Sequence, residues 1–284
     1  MYLSRLTIEV GNDPTRERPG RLWLRNLYHV HQRLCMAFPS GPRKEHDPDF
    51  LAPYAPNDFP EQRHLADKKK TEVELDVLKQ VHSQRSPDSG FLFRIDPQPG
   101  GGVVIVVQSA VEPAWNYAFH NGRYLLAADP EVREFNPCLT KGQRLRFRLV
   151  ANPTKKIGTI SKAERQSSAK EELIEKKGRH GRRVPVRNDH LLDWLADWRV
   201  RPDELPGFCI DKDSTTVQPG YVYVNKARDG KGQRLRSVRY EGILEVTDPD
   251  KLTNTLLRGI GPGKAFGFGL LSVAPAARRA DARL

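Results

Sequence analysis

Hydrophobic and polar positions alternate in two short segments of the chain, and a period of two is typical of a strand that buries one face. In residues 2–10 the shared apolar face holds Leu6, Ile8 and Val10. In residues 143–153 it holds Leu145, Phe147 and Leu149. A continuous apolar run at 103–109 is typical of a central strand that is buried on both faces.

Helical spacing of apolar residues appears on both sides of these strands. Residues 22–38 place apolar side chains on one helical face and are followed by Pro39, which predicts a single helix that ends there. A second helix is predicted at 251–258, with Asp248 or Asp250 as its N-cap. The chain therefore mixes strands and helices along its length.

Each half of the chain has roughly the order strand, helix, strands, helix, strand. This order predicts an α+β fold of tandem ferredoxin-like domains, each a split βαβ unit. The predicted domains span residues 1–137 and 138–277, with a Pro- and Asp-rich insertion at about 40–90 and a tail at 278–284. Residues 129–134, just ahead of the boundary, are predicted to form a helix or a loop.

The charge balance favours a polyanionic partner. Lysine and arginine total 47 against 35 acidic residues, a net charge of +12, and neutralising phosphates releases condensed counterions. A generic basic protein has the same balance, so charge alone leaves the partner open. The chain has no run of roughly 18 apolar residues and its first residues lack a signal-peptide core. We therefore expect a cytoplasmic protein without a membrane partner.

The segment LYHVHQRL carries the first candidate chemistry. Tyr28 and His31 are three residues apart, so they are neighbours on a helix. A histidine titrates near neutral pH and can move protons in RNA cleavage, and a phenol can hydrogen-bond the reacting phosphate or 2′-hydroxyl. His31 also falls within the apolar arc of the helix, so a buried core histidine is the alternative interpretation.

A glycine-rich segment near the C-terminus is the second candidate. It comprises Gly259, Gly261, Gly263, Gly267 and Gly269, with Lys264 among them. Glycines let backbone amides approach phosphates, and a lysine adds a point charge. The segment matches neither a Walker loop nor a dinucleotide fingerprint. A tight structural turn is the alternative, and the two interpretations are compatible.

Two groups of basic residues predict contacts with nucleic acid. The first comprises Lys177, Arg179, Arg182 and Arg183. The second comprises Arg144, Arg146 and Arg148, on the polar face of the strand at 143–153. Arginines that share a strand face repel one another unless anions cover them, which favours a phosphate backbone as partner. For the first group, a solvated charged loop is the alternative.

Motifs for metal-assisted or serine-dependent hydrolysis are absent from the sequence. It contains no HExxH, HxxEH or GxSxG pattern. No metal site and no cofactor are therefore expected. The cysteines Cys35, Cys138 and Cys209 form no CxxC pair and are expected to be buried free thiols.

Several segments together resemble one protein family. In chain order they are MYLSRLTI, LYHVHQRL, FLFRID, VQS, FRLVANPTK, RRVPV, YEGIL and GIGPGKAFGFGLLSVAP. They resemble the CRISPR-associated CasE (Cse) endoribonucleases of type I-E systems over nearly the whole chain. The most specific blocks are FRLVANPTK and GIGPGKAFGFGLL, whereas residues 11–22 and 40–90 have no clear counterpart in compact members.

The resemblance implies metal-independent cleavage of the repeat hairpin in CRISPR precursor RNA, leaving 5′-hydroxyl and 2′,3′-cyclic phosphate ends. The enzyme is then expected to keep the mature guide RNA and to join the other subunits of the Cascade antiviral complex. His31 matches the family's catalytic histidine, Tyr28 its accompanying tyrosine, and residues 259–269 its glycine-rich loop. The neighbourhood of residues 179–183 matches the basic loop that grips the repeat stem. A non-catalytic RNA-hairpin-binding module of the same fold is the alternative, and an unrelated basic protein is a third.

Overall fold

The computed structural model describes residues 1–11, 19–38, 90–157, 182–198, 205–224 and 232–276. Within these residues the chain forms two larger antiparallel sheets and one two-stranded pair. The predicted insertion, apart from its last residue, and the predicted tail lie outside the described residues.

The first sheet is built by the N-terminal part of the chain. Its elements are β1 (Tyr2–Ile8), α1 (Pro19–Leu24), α2 (Leu27–Cys35), β2 (Phe91–Pro97), a 3₁₀ turn (Pro99–Gly101), β3 (Val103–Ser109), α3 (Trp115–Ala118), a 3₁₀ segment (His120–Leu125) and β4 (Glu131–Glu134). The strand order is β2-β3-β1-β4, and every neighbouring pair is antiparallel. Helix α2 buries Val30 and Leu34 in one core with Leu6 and Phe93 of the sheet.

The second sheet is built by the C-terminal part of the chain. Its elements are β5 (Arg144–Ala151), β6 (Thr154–Ile157), β7 (Arg182–Pro185), a 3₁₀ turn (Asn188–His190), α4 (Leu191–Ala196), β8 (Phe208–Ile210), β9 (Thr216–Val224), β10 (Gln233–Val246), α5 (Pro249–Arg258), a 3₁₀ turn (Lys264–Phe266) and β11 (Leu271–Pro275). The strand order is β11-β5-β10-β8, with β9 also paired to β10. Strands β6 and β7 form the separate two-stranded pair.

Both sheets follow the same path through space. With β8 and β9 taken as one position, each sheet places the fourth, first, third and second strand of its half side by side. A helix follows the first strand and the third strand of each half. This is the split βαβ order, so the predicted α+β fold with tandem ferredoxin-like units is confirmed. The proposed domain bounds stay predictions.

The single helix predicted over residues 22–38 is wrong, because two helices occupy this segment. The Asn26 side chain accepts hydrogen bonds from the backbone N–H groups of Tyr28 at 3.1 Å and His29 at 3.4 Å, so it caps a new helix. An N-cap has extended backbone angles and interrupts the helix before it. The apolar spacing continues across the break, which is why periodicity alone did not show it.

Residues 129–134 are also corrected by the structure, because they contain strand β4 and not a helix or loop. Each of its four residues is exposed. The strand forms by pairing with β1, in a register that sets Tyr2 opposite Glu134. An edge strand with no buried face carries no alternating pattern, so its sequence resembles that of a loop.

The two sheets meet on the face of β2 and β3 that α2 leaves uncovered. Gln108 donates from its side-chain amide to the carbonyl oxygen of Leu256 on α5 at 2.7 Å. Arg94 donates to the hydroxyl of Ser272 on β11 at 2.8 Å and to the carboxylate of Asp96. Buried polar groups of this kind need partners, so these bonds fix the α5–β11 connection against the first sheet.

Candidate functional site

Helix α2 holds Tyr28 and His31 in a fixed position on the first sheet. Its N-terminus is capped by Asn26. Farther along, Arg33 donates from Nη1 to the carbonyl oxygen of Ala118 at 2.9 Å and to the amide oxygen of Asn121 at 2.6 Å. Burial lowers the pKa of the Arg33 guanidinium. The helix is therefore tied to the α3 region as well as to the core.

The His31 ring lies at the margin of the first core. It is half-buried, whereas Val30 and Leu34 on the same helix are fully buried. The ring stacks on Phe91 and Phe93, with centroids 5.7 and 6.3 Å away. Phe91 and Phe93 of β2 thus stack against the imidazole, and His31 as a residue stays partly exposed.

Two further side chains of α2 stand beside this imidazole. The Tyr28 ring centroid is 6.4 Å from that of His31, with the planes tilted by 41°. The Cys35 sulfur lies 3.5 Å from Nε2 and 3.8 Å from Nδ1 of His31. Spacings of three and four residues place all of them on one helical face. The candidate proton carrier therefore has a phenol on one side and a thiol on the other.

The glycine-rich loop, residues 259–269, runs from α5 to β11 and crosses to the first sheet. Its five glycines all have positive φ, at Gly259, Gly261, Gly263, Gly267 and Gly269. A Cβ on Gly259 would lie 2.7 Å from Leu92 Cδ1, and one on Gly267 would lie 3.2 Å from the Phe93 ring. The 3₁₀ turn within the loop also contacts α2.

Phe93 thus links two segments that are distant in the sequence. Its ring stacks on His31 and also lies next to Gly267. The structure therefore brings the glycine-rich loop close to the candidate histidine through Phe93. Lys264 lies on the 3₁₀ turn that faces α2 and is half-buried.

Hydrogen bonds within the glycine-rich loop support the structural-turn interpretation. The N–H of Ile260 donates to the carbonyl oxygen of Gly269 at 2.9 Å, and the N–H of Gly269 donates to that of Val150 at 2.8 Å. The N–H of Phe266 donates to the carbonyl oxygen of Gly263 at 2.8 Å. The loop is therefore a closed turn anchored on β5. Phosphate contact by its remaining amides stays a prediction.

The three arginines of β5 have different partners. All are exposed, while the residues between them are buried, as the alternation predicts. Arg144 pairs with Asp211 at 3.0 Å, and Arg148 lies 2.6 Å from Glu241. Among the described residues Arg146 has no ion pair. Carboxylates of the protein itself therefore neutralise two of these arginines. Relief of the repulsion between the arginines does not require a bound nucleic acid. Their contact with RNA stays a prediction.

The basic group near residues 177–183 is described only in part. Lys177 and Arg179 lie outside the described residues, as does the side chain of Arg182. Arg183 is exposed and donates to the Thr154 hydroxyl at 3.3 Å. Arg182 and Arg183 lie on β7, which pairs antiparallel with β6. The basic group therefore continues in the sequence from β7 into the residues just before it.

Sequence reasoning missed several residues around the site. The stacking of His31 on Phe91 and Phe93 depends on how α2 crosses β2, which no local pattern encodes. The spacing of four residues between His31 and Cys35 was available, and it marks a helical neighbour. The cysteines are corrected as well, since Cys138 and Cys209 are exposed and Cys35 is half-buried.

Two kinds of feature are absent from the described residues. No three or more His, Cys, Asp and Glu side chains in the described part of the chain gather as a set of metal ligands. None of the described helices has the length and apolar character needed to cross a bilayer.

Comparisons with known proteins identify relatives of this chain. A family model described as CRISPR associated protein matches residues 76–275. The CRISPR-associated endoribonuclease Cse3 of Thermus thermophilus is 34% identical over 194 residues, which are 65% of this chain and 79% of that protein. The CRISPR system Cascade subunit CasE of Escherichia coli is 25% identical over 277 residues, 97% of this chain and 100% of that protein.

A solved structure is similar as well. It is a CRISPR endoribonuclease Cse3 bound to a 19-nucleotide RNA, and it covers 97% of this chain and 100% of its own. The TM-score is 0.61 and the sequence identity 27%. The similarity therefore includes both sheets and the junction between them.

Proposed function

This chain belongs to the family of CRISPR-associated proteins, and on that premise we propose that it is a metal-independent endoribonuclease that cuts CRISPR repeat hairpins. The products are guide RNAs with 5′-hydroxyl and 2′,3′-cyclic phosphate ends. Two relatives are named for RNA cleavage and for Cascade, and one structural neighbour holds RNA. These names support the substrate class and the reaction.

One observation in this chain carries the proposal. A half-exposed histidine, His31, lies where the glycine-rich loop of the second sheet reaches α2 of the first, with Phe93 contacting both. A proton-transfer group at such a junction can meet an RNA strand that is held by both halves of the protein. A histidine that only filled the core of the first sheet would not have to lie near a loop of the second sheet.

The reaction uses groups that the RNA itself provides. The 2′-hydroxyl before the scissile phosphate attacks phosphorus, the P–O5′ bond breaks, and a cyclic phosphate forms while the 5′-oxygen takes a proton. His31 acts as the base that removes the 2′-hydroxyl proton or as the acid that protonates the 5′-oxygen. Tyr28 orients the 2′-hydroxyl or donates to the phosphate. Basic side chains stabilise the charge that grows on the phosphate oxygens.

We propose further that the protein keeps the cleaved hairpin and joins other Cascade subunits in the cytoplasm. The relative from Escherichia coli, aligned over 97% of this chain, is named as a Cascade subunit. The net charge of +12 supports tight and salt-dependent binding of the product. Arg146 and Arg183, which are exposed on the second half, are among the side chains proposed to hold it.

The test is cleavage of the repeat RNA from the CRISPR array beside the gene, in excess EDTA. We expect one cut per repeat, a 5′-hydroxyl on one product and a 2′,3′-cyclic phosphate on the other, at the same rate as with added Mg²⁺. Tight binding without any cut would favour the non-catalytic hairpin-binding module. A cut that EDTA abolishes would contradict the proposal.

A further inference from the structure

Strands β9 and β10 extend beyond the second sheet as a two-stranded ribbon, residues 220–224 and 233–237. Strand β5 pairs with β10 only between Val238 and Glu245. Ahead of Val238, β10 pairs with β9 alone, in a register that sets Arg236 opposite Tyr221 and Arg234 opposite Tyr223. Val224 on one face of this ribbon is buried, whereas Tyr221 and Tyr223 on the other face are exposed, so the Tyr–Arg face is the one that solvent reaches.

One face of this ribbon carries two tyrosines and two arginines. The Tyr221 and Tyr223 side chains are 50% and 69% exposed. The Arg234 guanidinium lies 3.9 Å above the Tyr221 ring, and that of Arg236 lies 5.5 Å from it. A guanidinium stacked by its face keeps the N–H groups at its edge free to donate. The ring of Tyr223 presents open aromatic surface.

No carboxylate in the described part of the chain forms an ion pair with the arginines of this face. Among the described residues neither Arg234 nor Arg236 forms an ion pair with a carboxylate, in contrast to Arg144 and Arg148 on β5. The ten residues of the ribbon include no Asp or Glu. Cross-strand Tyr–Arg pairs alone stabilise a ribbon by modest amounts. They give no reason for the exposed Arg234 or the half-buried Arg236 to lack a carboxylate partner among the described residues. Such guanidinium groups fit an anionic partner.

The ribbon also lies beside β7, the described part of the basic group that is predicted to grip RNA. Arg236 donates to the side-chain oxygen of Asn188 and to the hydroxyl of Tyr221. Asn188 begins the 3₁₀ turn that follows β7, and β7 carries Arg182 and Arg183 of the basic group. RNA bound along β6 and β7 therefore has its neighbouring nucleotides within reach of this face.

We propose that the ribbon is a second RNA-binding surface, which holds single-stranded RNA adjoining the repeat hairpin. A nucleobase stacks on Tyr223, and Arg234 and Arg236 contact phosphates. Stacking on an aromatic side chain needs a base that is not already stacked in a helix, which favours a single strand over the hairpin stem. The inference rests on the proposed function, because it takes repeat RNA as the ligand.

The experiment compares two RNA probes with the full-length protein by fluorescence anisotropy. One probe is the repeat hairpin alone, and the other carries the single-stranded repeat sequence on both sides. Both carry a 2′-deoxy substitution at the cut site. We expect Tyr223→Ala to weaken binding of the extended probe roughly tenfold and to leave the hairpin probe unchanged. Tyr223→Phe, which keeps the ring, should bind both as the wild type does.

A charge variant gives a second readout that does not depend on the tyrosine. The double substitution Arg234→Gln and Arg236→Gln should lower the dependence of log K on log salt for the extended probe by roughly one to two. Arg133→Gln, on the exposed strand β4 of the other half, is the matched control. Thermal melting of each variant establishes that the fold is retained.

Each other outcome overturns the inference in a distinct way. Unchanged binding of the extended probe by Tyr223→Ala and by the double variant would mean that the ribbon contacts something other than RNA, such as an acidic protein segment. Equal losses of affinity for both probes would mean that the ribbon contacts the RNA hairpin and not the single strand beside it. Failure of the wild type to bind either probe would instead contradict the proposed function.

Discussion

The two halves of this protein share one strand order and differ in what their first helix carries. In the first half, α2 presents His31 and Tyr28 at the edge of its core. In the second half the equivalent helix, α4, presents Trp194, which stacks on Tyr240 with centroids 6.2 Å apart. The same topology therefore carries a histidine and a tyrosine in one half and a tryptophan in the other, so the fold alone does not determine the chemistry.

Both helices meet the glycine-rich loop, but with different groups. Helix α2 contacts the 3₁₀ turn of the loop, next to the candidate histidine. On the other side, the indole of Trp194 lies 3.2 Å from where a Cβ on Gly261 would be. The second half thus contributes an apolar support and the basic surface, while the first half contributes the titratable ring. Substitutions in the two halves should accordingly separate cutting from binding.

The largest effect is expected for His31→Ala. Removing the proton-transfer group should slow single-turnover cleavage of repeat RNA roughly 10²- to 10⁴-fold, while the affinity for RNA stays within about twofold of the wild type. His29→Ala, an exposed histidine on the same helix, is the control and should cut normally. Near-normal cutting by His31→Ala would contradict the assignment of proton transfer to the first half.

Gly259→Ala should act on stability and not on proton transfer. Gly259 has a φ of 70° and no space for a Cβ beside Leu92. Backbone strain and overpacking together should lower the free energy of unfolding by roughly 2 to 4 kcal/mol. Urea denaturation measures it. Gly142→Ala is the matched control, because that residue has a φ of 81° with open space around it and should lose only about 1 kcal/mol.

Equal losses for the two glycine variants would mean that contact with β2 does not constrain the loop. In that case the close approach of Gly259 to Leu92 would not be what holds the loop on the first half.

Tyr28→Phe should have a smaller effect on cleavage than His31→Ala. The loss of one hydroxyl that hydrogen-bonds a charged group corresponds to a rate decrease of roughly tenfold to a hundredfold. Single-turnover kinetics measure it. The exposed Tyr124, changed to Phe, is the control from the same half of the protein. A Tyr28→Phe enzyme with the wild-type rate would leave the phenol without a catalytic role.

The smallest effect is expected in the arginine row of β5. Arg146→Gln should weaken RNA binding a few-fold and reduce the salt dependence of binding by about one charge. Arg144→Gln should change the salt dependence less, because Asp211 already compensates that guanidinium at 3.0 Å. Anisotropy titrations at several salt concentrations compare the two. Identical slopes would show that the ion pair does not survive RNA binding.

The element order, the fold class and the main alternating pattern could be predicted from the sequence, whereas one helix break and one edge strand could not. The alternation on β5 is a property of successive residues, and Asp248 caps α5 by accepting from the N–H of Lys251, as predicted. The break at Asn26 was missed because apolar spacing continues through it. Strand β4 was missed because it exists only through its partner β1.

The same distinction applies to the candidate site. Tyr28 and His31 are neighbours by helical spacing, which the sequence shows directly. The approach of Gly267 to the ring beneath His31 depends on how the two sheets pack, and their register is set by contacts such as Gln108 with Leu256. Only the resemblance to a family linked these segments before the structure did. The Tyr–Arg face of the ribbon likewise needed the register of β9 and β10.

The central claim is that the RNA's own 2′-hydroxyl is the nucleophile at a junction where His31 moves the proton. A repeat RNA with a single 2′-deoxy nucleotide before the scissile phosphate, incubated with the wild-type protein in EDTA, tests it most directly. We expect this RNA to be bound with unchanged affinity and not to be cut, while the unmodified RNA is cut under the same conditions. Cleavage of the 2′-deoxy RNA at the same position would contradict it.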